Sequence, residues 1–326
     1  VRFRTLGKSG IRVSEIGLGC WQLGGDFGPC SDDEAEAVLA AADREAINFW
    51  DTADVYGAGI SETRIGRFLS ETGSKAVVAT KVGRDGALYP DGYTRDKVRA
   101  SLEASARRLN TDCIDLAQLH CVPPEILRAG DLLAWMNQFR EEGLIRAYGA
   151  SVETIDDALS AVEDPGIATL QIIFNIFRQN AITELFPLAQ KNDVGIIVRL
   201  PLASGVLGGK MTKGTSFAES DHRNYNRNGE AFSVGETFSG IPFDRAIDLV
   251  GELRQFVPDG MTMAQMAIRW ILDQPAVSTV IAGASRPEQV AENAAVSGLP
   301  ALRSELHKQL AAFYRDLVES EISVPV

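Results

Sequence analysis

Asp51 and Tyr56 sit in the run Asn48-Phe49-Trp50-Asp51-Thr52-Ala53-Asp54-Val55-Tyr56-Gly57, where apolar residues give way to an acid, then to small and polar residues, then to glycine. That pattern predicts a buried β-strand running out into a loop, with a carboxylate and a phenol leaving one strand end together. Two later apolar runs end comparably, Val77-Val78-Ala79-Thr80-Lys81 and Leu116-Ala117-Gln118-Leu119-His120. A phenol has an ordinary pKa of about 10, so it gives up a proton near neutrality only where something favours the phenolate. An ammonium does so, and a carboxylate holding the ammonium fixes its direction. Lys81 and Asp51 suit those roles. Tyr56 would then deliver a proton to a carbonyl oxygen as hydride reaches the carbon, while neutral His120 donates a hydrogen bond to the same oxygen. Taken singly, each residue has a structural reading: an Asp51–Lys81 ion pair, a loop tyrosine, a core histidine. Four of them, at or just past the ends of three apolar runs, argue for one site. His222 and His307 fall in a polar loop and a terminal helix and receive no role.

The segments that must position these groups alternate regularly. A hairpin is expected at residues 3–6 and 10–13 around Gly7-Lys8-Ser9-Gly10, as a lid or plug. Ile16-Gly17-Leu18-Gly19-Cys20 reads as a strand, and Ser31-Asp32-Asp33-Glu34 opens a helix with a capping box. Helices are then expected from Ser61, from Thr94, and over 127–141, 154–162 and 182–191, with strands over 145–151, 169–175, 194–200 and 277–281. A Gly/Asn/Ser-rich excursion covers about 208–240, helices follow over 244–256 and 262–273, and two more close the chain over 287–297 and 303–318. Eight near-continuous apolar strands alternating with helices predict an α/β fold. The expectation is a closed parallel (β/α)8 TIM barrel, with an N-terminal hairpin and extra C-terminal helices, as one domain over residues 1–326. Such barrels carry their chemistry at the carboxyl ends of the strands, where the four residues fall.

A net charge of −12 and a pI near 4.9 exclude a basic nucleic-acid surface. Cys20, Cys30, Cys113 and Cys121 lack metal-ligand spacing, so no metal is expected, and sparse thiols suit a cytoplasmic compartment. No apolar run reaches bilayer length and Val1-Arg2-Phe3-Arg4 begins no signal sequence, so no membrane partner is expected. The oligomeric state is open, a monomer included.

The same residues carry a resemblance to the aldo-keto reductases. It rests on Gly19-Cys20-Trp21-Gln22-Leu23-Gly24-Gly25, Asp51-Thr52-Ala53-Asp54-Val55-Tyr56-Gly57, Thr80-Lys81, Gln118-Leu119-His120, Pro201-Leu202-Ala203-Ser204-Gly205-Val206-Leu207 and Ile281-Ala282-Gly283-Ala284-Ser285-Arg286. The finer similarity is to the bacterial branch of general sugar and aldehyde reductases. The resemblance implies NADPH-dependent reduction of aldehydes or ketones, with Asp51, Tyr56, Lys81 and His120 as the catalytic tetrad. No strand–GxGxxG–helix fingerprint is present, so a Rossmann domain is unsupported. By resemblance the cofactor lies extended across the barrel mouth. Ser151 and Gln171 would hydrogen-bond the nicotinamide carboxamide, Pro201, Leu202, Ser204, Gly205 and Leu207 would wrap the pyrophosphate with Lys210 as a cation, and Trp21 and Gly283 would also touch the cofactor. Ser285 and Arg286 would receive phosphate at a helix start, Arg286 pairing with the 2′-phosphate, and Gln289, Glu292 and Asn293 would contact the adenine end.

This chain departs from the family pattern in having Val152 after Ser151, where many relatives have asparagine, and Ala282 before Gly283, where proline is frequent. Arg199 has three readings: a contact to the cofactor phosphates, a contact to an anionic substrate, or a strand-end ion pair. Trp21, Phe27, Tyr56, Tyr89, Tyr93 and His120 are expected to wall the substrate pocket, with residues 211–240 as a lid. A polyhydroxylated carbonyl or a small aromatic aldehyde would suit such walls. The alternative function is a non-catalytic NADPH-binding barrel that acts as a redox sensor or channel-associated subunit.

Overall fold

The computed structural model describes residues 1–26, 28–231 and 234–325. Two short strands, β1 (Phe3–Thr5) and β2 (Arg12–Ser14), pair antiparallel, with Phe3 opposite Ser14. Eight further strands follow: β3 (Ile16–Gly19), β4 (Phe49–Asp51), β5 (Val77–Val82), β6 (Ile114–His120), β7 (Ile145–Ser151), β8 (Thr169–Ile173), β9 (Gly195–Arg199) and β10 (Val277–Gly283). Each pairs in parallel with its sequence neighbours, and β10 pairs with both β9 and β3, so the sheet closes into the expected barrel.

Alternation along the strands divides the core in two. Phe49, Ala79, Leu116, Ala147, Ile197 and Ile281 form one apolar cluster with Leu6, Ile11 and Val13 of the hairpin segment. Trp50, one residue from Phe49, belongs to the other cluster with helix residues such as Phe68. This is the period-2 logic of a strand covered on both faces. The hairpin is a plug at the end opposite the candidate site. Leu6 donates its N–H to Ile11 O (2.8 Å) and Lys8 its N–H to Asp193 O (2.7 Å), just before β9 begins. At Gly7 (φ 50) a Cβ would run into the Gly195 backbone, so only glycine lets the turn seat this deeply.

Helix starts follow the expected polar residues. Ser31 and Glu34 make the reciprocal capping box of Asp32–Arg44, and Thr94, Thr154 and Thr262 cap the helices that follow them. The helix expected over 127–141 is two helices, Pro124–Ala129 and Asp131–Glu141, because Gly130 adopts φ 83 between them. The helix expected over 182–191 begins at Leu185, after a 3-10 turn at Asn180–Ile182. Strand pairing over 169–175 stops at Ile173, where Asn175 turns its Nδ2 to donate to Leu200 O (3.0 Å). The last helices are Pro287–Ala295 and Ser304–Phe313, the latter running on into a π-turn at Tyr314–Val318. Among the described residues no helix is long and apolar enough to cross a membrane.

Candidate active site

Register brings the four expected residues to one rim. Gly19, Asp51 and Ala79 lie side by side across β3, β4 and β5; Lys81 is two residues beyond Ala79 on the same face. Lys81 is level with Gln118, and His120 is level with Ser151, which is level with Gln171. The Lys81 ammonium donates to Asp51 Oδ1, to Thr52 O (2.8 Å) and to Tyr56 Oη (3.2 Å), which uses all three of its hydrogens. Asp51 Oδ2 accepts from Gln118 Nε2 (3.1 Å) and Gln171 Nε2 (2.7 Å), so the carboxylate is held from both sides.

Burial depresses the Lys81 ammonium, yet the Asp51 carboxylate and the Tyr56 oxygen more than offset it, and the group is held above the usual lysine range. The phenol of Tyr56 is pushed up to about 12 by burial, against the pull of Lys81. The lysine therefore limits the rise without reversing it, in contrast to the net lowering expected from the sequence. His120 is driven well below the usual imidazole range by burial and then by Lys81, Arg84 and Arg199, which leaves the ring neutral. Its ring meets that of Tyr56 edge-on at 6.0 Å, and Trp21 stacks on Tyr56 at 5.7 Å. The Tyr56 loop is held by Gly57, whose N–H donates to Asp26 Oδ2 (3.0 Å) and whose missing Cβ admits the Gly24 carbonyl at φ 58.

A cavity of about 420 Å³ runs from this rim past β9 and β10. Of the residues expected at the cofactor, Trp21, Gln171, Arg199, Pro201, Leu202, Ser204, Gly205, Gly283, Ser285 and Gln289 line it. Ser151 lies beneath, its Oγ donating to Gln171 Oε1 (3.4 Å). Leu207 is buried, and its N–H is committed to Leu202 O (3.1 Å). Lys210, Arg286 and Glu292 are exposed and Asn293 is half-buried outside the lining. Leu200, Ala203 and Ser204 all carry positive φ, as does Gly205, which bends the 200–205 turn around the cavity.

Tyr89 is 41% exposed and lies under the Arg84 guanidinium at 5.0 Å, and Tyr93 Oη donates to Gly83 O (2.7 Å). These two tyrosines shape the loop after β5. Phe27 lies outside the described residues. Arg199 is ion-paired with Glu236, and its Nη2 donates to Val152 O (3.1 Å). The excursion supplies residues the sequence reading did not single out. His222, Arg223 and Glu236 line the cavity, the His222 ring sits 5.1 Å from Trp21, and Ser204 Oγ donates to Glu236 O (3.1 Å). Asp221 caps the short helix His222–Tyr225 and holds the Arg223 guanidinium. The signal that could have found them was Asp221-His222-Arg223 within a long polar loop, but loops carry no periodicity from which to place a side chain. Among the described residues no cluster of His, Cys, Asp and Glu could hold a metal.

The barrel and its rim define an oxidoreductase class, and the sequence model of the Aldo/keto reductase family matches residues 15–315. The chain belongs to that family, whose members work with nicotinamide cofactors. It is 30% identical to Aldo-keto reductase YhdN of Bacillus subtilis (strain 168), over 100% of this chain and 96% of that one. It is 32% identical to a probable voltage-gated potassium channel subunit beta of Arabidopsis thaliana, over 93% of each. Among solved structures, the holo form of aldo-keto reductase AKR11C1 from Bacillus halodurans superposes with a TM-score of 0.78 at 26% identity, covering 96% of both chains.

Proposed function

We propose that this chain reduces the carbonyl of an aldehyde or ketone, a sugar or small aldehyde, to an alcohol with NADPH. Tyr56 is the general acid, Lys81 and Asp51 set its acidity, and His120 orients the carbonyl. The carrying observation is the Lys81 ammonium, shared between the Asp51 carboxylate and the Tyr56 hydroxyl at 3.2 Å. A proton leaving Tyr56 for the carbonyl oxygen leaves a phenolate beside a fixed cation, which is stabilisation of the charge that develops. Neutral His120 can donate to the same oxygen without adding a charge to the buried site. The residues present fit a nicotinamide dinucleotide. The cavity extends from Tyr56 to Gln289, and the side chain at position 283 is reduced to hydrogen where Gln22 crosses, with Gln22 Oε1 buried and lacking a hydrogen-bond partner. Such a cofactor supplies the hydride. Arg286, exposed at the start of Pro287–Ala295, supports the 2′-phosphorylated form, since a guanidinium and a helix N-terminus both favour an anion there.

The similarity to a channel subunit keeps a second reading, an NADPH-binding barrel with a sensing role. The complete proton-donor arrangement favours turnover. The test follows the loss of absorbance at 340 nm with NADPH or NADH and a panel of aldehydes and ketones. Turnover supports the reductase reading; tight cofactor binding with no turnover of any carbonyl would transfer support to the sensor.

A further inference from the structure

Beside His120 three arginines come together from three strand ends, Arg199 in the cavity lining and Arg84 and Arg178 next to it outside that lining. Arg84 follows β5, Arg178 follows β8 and Arg199 ends β9. Around them lie Glu153, just past β7, and Glu236 from the excursion. Arg199 reaches over the mouth to Val152 O and to within 3.9 Å of Cys121 Sγ, the residue after His120. Arg178 Nη2 donates to Glu153 O (3.0 Å), and Arg84 Nη2 meets Glu153 Oε1 at 3.4 Å. Their fields overlap: Arg84 and Arg199 both act on His120 and on Cys121, while Arg199 also acts on Arg178.

Each of the three guanidinium groups holds a nitrogen that is buried and lacks a hydrogen-bond partner: Arg84 Nε, Arg178 Nη1 and Arg199 Nε. Arg178 is 2% exposed and Arg199 7%, so water outside the protein does not solvate them. Buried donors are ordinarily satisfied, and three unsatisfied ones on guanidinium groups linked through Glu153 and Val152 call for an acceptor. The charge count narrows its nature. Three guanidinium groups face the two carboxylates of Glu153 and Glu236, while Lys81 and Asp51 neutralise each other, so one positive charge is left over in a chain whose net charge is −12. That residue of charge matches a monoanion better than a dianionic phosphate.

We infer that Arg84, Arg178 and Arg199 form an anion subsite beside the carbonyl position, which makes the preferred substrate a short oxo acid, an aldehyde or ketone bearing a carboxylate. The inference rests on the reductase reading for its chemistry and on the arginine cluster for its specificity. The carboxylate would enter beside Arg199, the one of the three that lines the cavity, with Arg84 and Arg178 adding their charge from behind it, while the carbonyl oxygen lies between Tyr56 and His120. No bond changes beyond those of carbonyl reduction.

The test compares kcat/KM for 4-oxobutanoate with that for butanal, and for glyceraldehyde 3-phosphate with that for glyceraldehyde. A separate arm measures binding of butanoate and butanamide to the NADP+-loaded protein by calorimetry, which does not depend on turnover. Expected are a preference for 4-oxobutanoate of at least about tenfold and tighter binding of butanoate than of butanamide. In Arg84→Gln, checked for folding by its melting temperature, the 4-oxobutanoate to butanal ratio should fall toward one. An unmoved ratio in the folded variant, equal binding of acid and amide, or a larger preference for the phosphate pair would overturn the carboxylate subsite. Turnover of butanal without any preference for its acid would overturn the subsite and leave the reductase reading standing. No turnover of any carbonyl would count against the reductase reading, and the binding arm would still decide the subsite.

Discussion

The Tyr56 hydroxyl and the Lys81 ammonium lie 3.2 Å apart at the ends of neighbouring strands, and the same ammonium sits 4.8 Å from the centre of the Tyr56 ring. One cation thus touches the phenol both through its oxygen and through its π face, while Asp51 also holds it. Tyr56→Phe keeps the ring and its packing on Trp21 and removes only the proton donor. Because positioned acid catalysis is worth about 10²–10⁴-fold, kcat for carbonyl reduction should fall by that order while NADPH binding persists. Steady-state kinetics beside a binding titration check this, and turnover at the unmodified level would remove Tyr56 from the mechanism.

The Asp51–Lys81 pair is also a stability element. Asp51 is 2% exposed and Lys81 1%. Removing one partner leaves the other charge buried, which typically costs about 3–5 kcal/mol. Lys81→Met should therefore lose about that much in denaturant unfolding, and adding Asp51→Asn should recover a large part of it. Equal losses in the single and double variants would show that the pair is not energetically coupled.

The barrel and the four rim residues were legible because strands announce themselves by composition and β-barrel chemistry gathers at one end, so the order of Asp51, Lys81 and His120 along the chain was already an order around a ring. The interruption at Gly130 was not, since a single glycine inside a helical pattern signals a break only once its φ is known. His222, Arg223 and Glu236 were illegible for a different reason. Their positions depend on how a polar excursion folds back onto Trp21, Ser204 and Arg199, which is long-range packing with no local signature. Arg199 shows the boundary between the two cases: its place at a strand end could be read, but its choice of Glu236 could not.

Cofactor preference has its own probe. Arg286 is exposed beside Ser285, whose N–H and Oγ both donate to Gln289 Oε1 at 2.8 and 3.1 Å. If the guanidinium reads the 2′-phosphate, Arg286→Ala should weaken NADPH binding by about 1.5–3 kcal/mol, the usual range for a hydrogen bond to a charged group, and leave NADH nearly unaffected. Fluorescence titration with both cofactors measures the difference. Equal weakening would place the 2′-phosphate elsewhere.

Stability should also depend on pH through His222. Burial lowers this imidazole to about 4, and the ring is only 1% exposed, whereas an unfolded histidine titrates near 6.5. Below that value the unfolded chain binds a proton that the folded chain refuses, so protonation favours unfolding. The His222 contribution is present in full above about 6.5 and is lost as pH falls toward 4, at a slope approaching about 1.4 kcal/mol per pH unit. His120 is depressed in the same direction and adds to the decline from the same upper limit. Denaturant unfolding at intervals between pH 7 and 4 should show the slope, and His222→Gln, which cannot titrate, should flatten it by about one proton's worth. A slope unchanged in the variant would mean that the ring is protonated as readily in the folded protein as in the unfolded chain.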